Sequence, residues 1–300
     1  MRIRKPGKVM DNLYFLGREE SCVYLLEGGS ESMIISGGMS YIVPDILQQF
    51  RDFCIDETKI KKLLILHSHF DHVGIIPFLK KMKGDLTIYG SARAWEILRM
   101  PKAIDTINTF SRDVARRVGR EDILAEYDLE WRDGLSGTTV SDGDVIEIGG
   151  LEGRVYETPG HSSCSISFYV PELKALFPSD GAGIPFGNTI FATGNSNFTQ
   201  YQASLERIKD LEVEYLFADH YGYIRGNEAR NFIKQSIEYA KEYRALLEDK
   251  YRQTGDIDVT AREITDEFIS TYKEYFLTPD IMRGVNRQIL RHIAGAMQDA

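Results

Sequence analysis

His67 and His69 stand two apart behind a compact apolar run, Lys61–Leu66, and Asp71 and His72 follow at once. Alternate residues of a strand project to one side, so both imidazoles share a face. The chain must then turn, and Asp71 and His72, expected to open the next helix, bring two more ligand-type groups back to the same place. Gly74 leaves room there for close backbone approach. Neutral imidazoles with a carboxylate suit Zn²⁺, Fe or Mn²⁺, and the lack of nearby thiolates argues against a structural zinc site. A lone histidine is more often structural than a ligand, but the chain has only six histidines and three of them fall within this one segment.

Further candidates each come just after a predicted strand. His161 follows Arg154–Thr158 in Pro159-Gly160-His161-Ser162, Asp180 follows Lys174–Phe177 in Pro178-Ser179-Asp180-Gly181, and His220 follows Tyr215–Ala218 in Ala218-Asp219-His220-Tyr221-Gly222. Groups carried at the same ends of several strands can converge on one cleft. Asp219 is read as an acceptor that fixes the tautomer of a ligating imidazole, with a solvated loop carboxylate as the plain alternative.

The elements that must position these groups read as follows. Asn12–Leu16, Cys22–Leu26 and Ser32–Ile35 are expected strands split by glycine turns, and Val43–Phe53 has helical apolar spacing. Helices are expected at Val73–Met82 and Ala92–Leu98 around a strand at Leu86–Tyr89. From about 101 to 130 the pattern is helical and charged, an insertion between two halves. Strands resume at Thr139–Ile148, Arg154–Thr158, Ser165–Val170, Lys174–Phe177 and Tyr215–Ala218, with a helix at Tyr201–Leu211. After Gly226 the chain turns helical, over Asn227–Tyr251, Thr260–Tyr275 and Pro279–Met297. Thr260-Ala-Arg-Glu263 reads as a capping box, and Thr278-Pro279 as a cap followed by proline. The implied division is a strand–helix body over 1–225 and a C-terminal helical cap over 226–300.

H-x-H-x-D-H, then a P-G-H-S histidine, then an aspartate, then a late histidine after a strand resembles the metallo-β-lactamase superfamily over about residues 10–225. The resemblance implies an α/β (α+β) fold, an αββα sandwich with the site at one edge, here extended by C-terminal helices. It implies two divalent metal ions, Zn, Fe or Mn. His67, His69 and His161 would hold one, Asp71, His72 and His220 the other, and Asp180 would bridge them. His69, where flavodiiron proteins carry glutamate, points to the hydrolase branch. The departures concern Ser163-Cys164 after the second motif, Ser179 where glycine is common, and Asp219 and Tyr221 where Gly-His-Gly is usual; they bear on subfamily and pocket shape. The layout of body, insertion and tail is similar to the glyoxalase II and quinolone-signal thioesterase branches. The tail lacks a basic glutathione-binding pattern, which disfavours glutathione thioesters.

Composition bounds the partners. A net charge of −9 argues against a nucleic-acid ligand. The basic start, Met1–Gly7, is followed by no apolar signal region, and no run approaches the roughly 18 apolar residues of a membrane span. Three cysteines, Cys22, Cys54 and Cys164, show no CxxC spacing and fit reduced thiols in a cytoplasm. A homodimer is left open.

The function implied is a metal-dependent hydrolase using a metal-bridging hydroxide on a small carbonyl ester, a thioester first, with Asp71 orienting the nucleophile. A lactonase or phosphodiesterase on the same site is the alternative, as is a regulatory binding protein with incidental hydrolysis. Phe276, Leu277, Ile281 and Met282 are candidates to line an apolar acyl pocket, against the simpler reading as interhelical core. Cys164 reads as a small buried hydrophobe, His292 as a surface or packing residue, Trp95 and Trp131 as core, and the run Lys80–Lys83 as a solvated helix end.

Overall fold

The computed structural model describes residues 1–298. Two seven-stranded sheets lie face to face. The first runs, in spatial order, Gly7–Met10, Leu13–Arg18, Ser21–Glu27, Ser32–Ile35, Ile60–Leu64, Thr87–Ser91 and Thr138–Val140. The second runs Arg2–Ile3, Tyr223–Arg225, Tyr215–Phe217, Ala175–Phe177, Ile166–Val170, Leu151–Glu157 and Val145–Ile148. Strand periodicity explains the layering. Leu13, Phe15, Tyr24 and Leu26 point inward to a core shared with Phe168, Phe177 and Phe217 of the second sheet. Their neighbours Tyr14, Leu16, Val23 and Leu25 point outward, under Val43–Asp52 and the insertion helix Pro101–Arg117. On the far side Leu176, Leu216 and Ile224 pack against helices Phe198–Ile208, Asn227–Thr254, Ile257–Thr271 and Pro279–Gln298. The result is the αββα sandwich with its C-terminal helices.

Several expectations change. Thr139–Ile148 is not one strand: Thr138–Val140 edges the first sheet and Val145–Ile148 the second. The turn between them uses Asp144, whose carboxylate accepts from Ser141 N at 2.8 Å, and Gly143 at φ 82°. Asp71 and His72 do not open an α-helix; they lie in a 3-10 turn, Phe70–His72, ahead of helix Ile76–Met82. The cap of Ile257–Thr271 is Asp256, which accepts from Asp258 N and Val259 N, while Thr260 lies buried inside the helix. The short hairpin Ile184–Phe186 and Thr189–Phe191 was not anticipated. Trp95 and Trp131 are core, and their indole N–H groups donate to Thr138 O and Leu98 O. Among the described residues, no helix is long and apolar enough to cross a membrane.

Close backbone approach at Gly74 is real. A Cβ there would sit 2.2 Å from Ser40 N and 2.6 Å from Met39 C, and the flanking ladder, Gly74 N to Gly38 O at 2.8 Å and Ile75 N to Gly37 O at 2.9 Å, leaves little slack. Gly74→Ala should therefore cost about 3 kcal/mol of stability through forced backbone displacement. Urea unfolding checks this, and an unchanged midpoint would refute the contact.

Candidate metal centre

The first-sheet strand Ile60–Leu64 ends at the site. Ile65 N donates to Tyr89 O at 2.8 Å, which carries the pairing one residue past the strand, and His72 N donates back to His69 O at 3.0 Å, closing the turn. His67 and His72 are fully buried, and their ring centroids are 4.0 Å apart. The second sheet supplies the rest. His161 follows Leu151–Glu157, Asp180 lies in the 3-10 turn Ser179–Ala182 after Ala175–Phe177, and His220 follows Tyr215–Phe217.

The predicted residues thus meet. Donor atoms of His67, His69 and His161 all lie within 4.8 Å of one another, and so do those of Asp71, His72 and His220. Asp180 touches both groups: its Oδ2 lies 3.3 Å from His72 Nε2 and 3.5 Å from His161 Nε2, while its Oδ1 lies 3.6 Å from His220 Nε2. Asp71 completes the second group, with its oxygens 3.6 Å from His72 Nε2 and from His220 Nε2.

The outer nitrogens of four imidazoles are anchored. His161 Nδ1–H donates to Thr193 O at 2.9 Å, His220 Nδ1–H to Glu20 O at 2.7 Å, His72 Nδ1–H to Asp219 Oδ2 at 2.8 Å and His67 Nδ1–H to Ser179 Oγ at 3.1 Å. Those bonds fix the tautomers and turn Nε2 inward. Nε2 of His67, His72 and His220 is buried without any hydrogen-bond partner. A buried polar atom left unpaired is costly, and several aimed at one point, beside two carboxylates, fit a cation. The electrostatics differ between the two groups. Burial, reinforced by His72, pushes the His67 imidazole well below its ordinary range, and burial takes His69 and His161 down to about 4, so all three offer lone pairs. Burial works against charge at His72 and at Asp180 alike, yet their mutual attraction wins: Asp71 and Asp180 raise His72, while His72 and His220 hold Asp180 well below the usual carboxylate range.

Asp219 is a buried acceptor, not a solvated one. Its Oδ2 accepts from His72 Nδ1–H, from Ser36 Oγ–H at 3.0 Å and from Ser179 Oγ–H. Ser179 accepts from His67 in turn, so a single carboxylate orients an imidazole in each group. Ser36 and Ser179 were not anticipated in this role, and φ of 69° and 50° at these positions is the only local oddity they show. Glycine would keep the Ser179 backbone and delete the hydroxyl, so Ser179→Gly should weaken metal binding about tenfold with the fold intact. Competition against a chelator of known affinity measures it; unchanged affinity would refute the relay. The loop holding Asp219 is itself clamped: Tyr24 OH donates across the sandwich to Ala218 O, and Cys22 N donates to Asp219 O at 2.8 Å.

A cavity of about 1000 Å³ opens on His69, Asp71, His161 and Asp180. Phe276, Leu277, Ile281 and Met282 line it while also packing between helices, and the Phe276 ring stacks on His220 with centroids 4.6 Å apart. Cys164 is buried, its sulfur 3.3 Å from Ser68 Oγ and 3.2 Å from Ser162 Oγ. His292 stands apart from the cluster, its Nε2 3.4 Å from Thr199 N.

A profile described as "Metallo-beta-lactamase superfamily" matches residues 16–220. The chain is 25% identical over 213 residues to a hydroxyacylglutathione hydrolase of Rhodopseudomonas palustris (strain BisB5), covering 68% of this chain and 66% of that enzyme. It is 31% identical over 104 residues to the enzyme of the same name from strain HaA2, covering 33% and 38%. The chain thus spans less than two thirds of the length of these relatives. Among solved structures, the metallo-beta-lactamase family protein TTHA1429 from Thermus thermophilus superposes with a TM-score of 0.69 at 17% identity, over 97% of this chain and 95% of that one. The archaeal superfamily protein ST1585 from Sulfolobus tokodaii gives 0.59 at 20% identity, over 76% and 86%. At these identities the structural likeness speaks for the fold.

Proposed function

Because the chain belongs to the metallo-β-lactamase superfamily, we propose that it is a metal-dependent hydrolase holding two divalent ions, Zn, Fe or Mn, and acting on a small carbonyl ester, a thioester first. The observation that carries the reading is the pair of ligand groups joined through Asp180, with buried imidazole nitrogens that have no other partner. His67, His69 and His161 would hold one ion, Asp71, His72 and His220 the other, and Asp180 both. Divalent ions at such a site lower the pKa of water toward neutrality and polarise a carbonyl.

The chain's own residues supply the rest. Asp71 lies both in the second ligand group and in the cavity wall, where its carboxylate can orient an attacking water by accepting a hydrogen bond from it. A leaving thiolate needs no dedicated acid. The hydroxyacylglutathione hydrolases supply independent support for a thioester, as relatives that cleave that bond by name.

Two measurements test this. Elemental analysis of protein purified without added metal should give two ions per chain, and a value near zero after gentle purification would sink the reading. Turnover of acyl thioesters beside lactones and bis-p-nitrophenyl phosphate should favour the thioesters; preference for a lactone or the phosphodiester reassigns the bond cleaved.

A further inference from the structure

Away from the carboxylates, the cavity runs between the insertion helix and the tail, and its wall changes character. Ala103, Thr106, Ile107 and Phe110 face it at the i, i+3, i+4, i+7 spacing of one helix stripe, and Ile264 and Phe268 face it from the tail. Two of its deep polar groups are already used. Asn286 is 2% exposed, yet its Nδ2 donates to Thr265 Oγ1 at 3.0 Å and its Oδ1 accepts from Tyr243 OH at 3.4 Å; Thr193 Oγ1 donates to Asp180 O. Tyr275 is buried there as well, with no partner for its hydroxyl among the described residues. No lysine or arginine among the described residues is buried in this wall. Its charges sit exposed at the rim, where Lys102 is set against Glu242, Glu267 and Asp280.

On the reading of the site as an acyl-ester hydrolase, we propose that this cavity selects an uncharged, apolar acyl group, aliphatic or aromatic, and rejects an acyl group bearing a carboxylate. Burying a carboxylate against a wall with no buried cation leaves its charge unpaired. An apolar body gains from each methylene removed from water and from ring edges such as Phe268 and Phe276.

The test uses the metal-loaded protein and N-acetylcysteamine thioesters of acetate, octanoate and octanedioate, the last with its far carboxylate free. Each buried methylene is worth roughly fourfold, so kcat/KM should rise at least 100-fold from acetyl to octanoyl, mainly through KM, and fall back at least 50-fold for the dicarboxylate. Ketone analogues with methylene in place of sulfur cannot be hydrolysed, and their calorimetric Kd values should follow the same order. Turnover that is flat across the acyl series, or tighter binding of the carboxylated ketone, overturns the selectivity and leaves the hydrolase reading standing. Chain-dependent ketone binding with no turnover of any thioester supports the cavity assignment and overturns the hydrolase reading instead. Gly284 offers a plug: it lines the cavity, and a Cβ there meets nothing within 4 Å. Gly284→Leu should lower the octanoyl-to-acetyl ratio at least tenfold without lowering the unfolding midpoint, since leucine suits a helix better than glycine; an unchanged ratio overturns the proposal.

Discussion

Asp180→Asn is expected to lower kcat/KM for a thioester by on the order of 10³-fold or more, with the fold retained. The amide is nearly isosteric, and the backbone of residue 180 is held independently of the side chain: Gly183 N donates to its carbonyl at 3.0 Å and Thr193 Oγ1 donates to the same atom. What changes is charge. The carboxylate faces His72 and His161 with one oxygen and His220 with the other, so neutralising it removes the anion common to both ligand groups. Metal content should drop below two ions per chain in the same preparation. Turnover within tenfold of the parent, at full metal occupancy, would show that Asp180 does not join the two groups.

The second large effect is expected at Asp219. Asp219→Ala strips the shared acceptor from His72 Nδ1–H, Ser36 Oγ–H and Ser179 Oγ–H at a position 2% exposed. Breaking a buried pair by deleting one partner costs about 3–5 kcal/mol, so the metal-free variant should unfold at markedly lower urea. The imidazoles of His67 and His72 would also lose their orientation, which should weaken metal binding roughly 10- to 100-fold. Asp219→Asn keeps one acceptor oxygen and should fall between parent and alanine variant on both measures. Equal stability and affinity in all three proteins would mean the carboxylate orients nothing.

Much of this centre was legible in the chain because its signals are local. His67, His69 and His72 share a few residues, and His161, Asp180 and His220 each sit a step beyond an apolar strand, from where they can converge; their grouping comes from the resemblance to the superfamily. The supporting hydroxyls were not legible: Ser36 and Ser179 act through contacts spanning 183 and 40 residues to Asp219, and a serine in a strand-end loop carries no mark of that. Both ends of Thr139–Ile148 alternate as strands do, and only the short turn at Asp142-Gly143 sends them to different sheets. Thr260 met the capping-box pattern, but Asp256 lies closer to the helix start and takes the free N–H groups first. The Ile184–Phe191 hairpin is too short for its alternation to stand out, and it is held by packing of Phe186 and Phe191 on Tyr272 and Tyr275.

Residues 67–72 hang from one sheet, and His161, Asp180 and His220 hang from the other. An ion gripping both sides would be a rivet through the sandwich, and its binding free energy would resist any sliding of one sheet over its mate. Amide exchange in Ser21–Glu27 and in Tyr215–Phe217 should then slow together when the protein is loaded. A cavity-forming change in the dry layer between them, at Phe177 for example, should betray itself first as leakage of metal, before any secondary structure is lost.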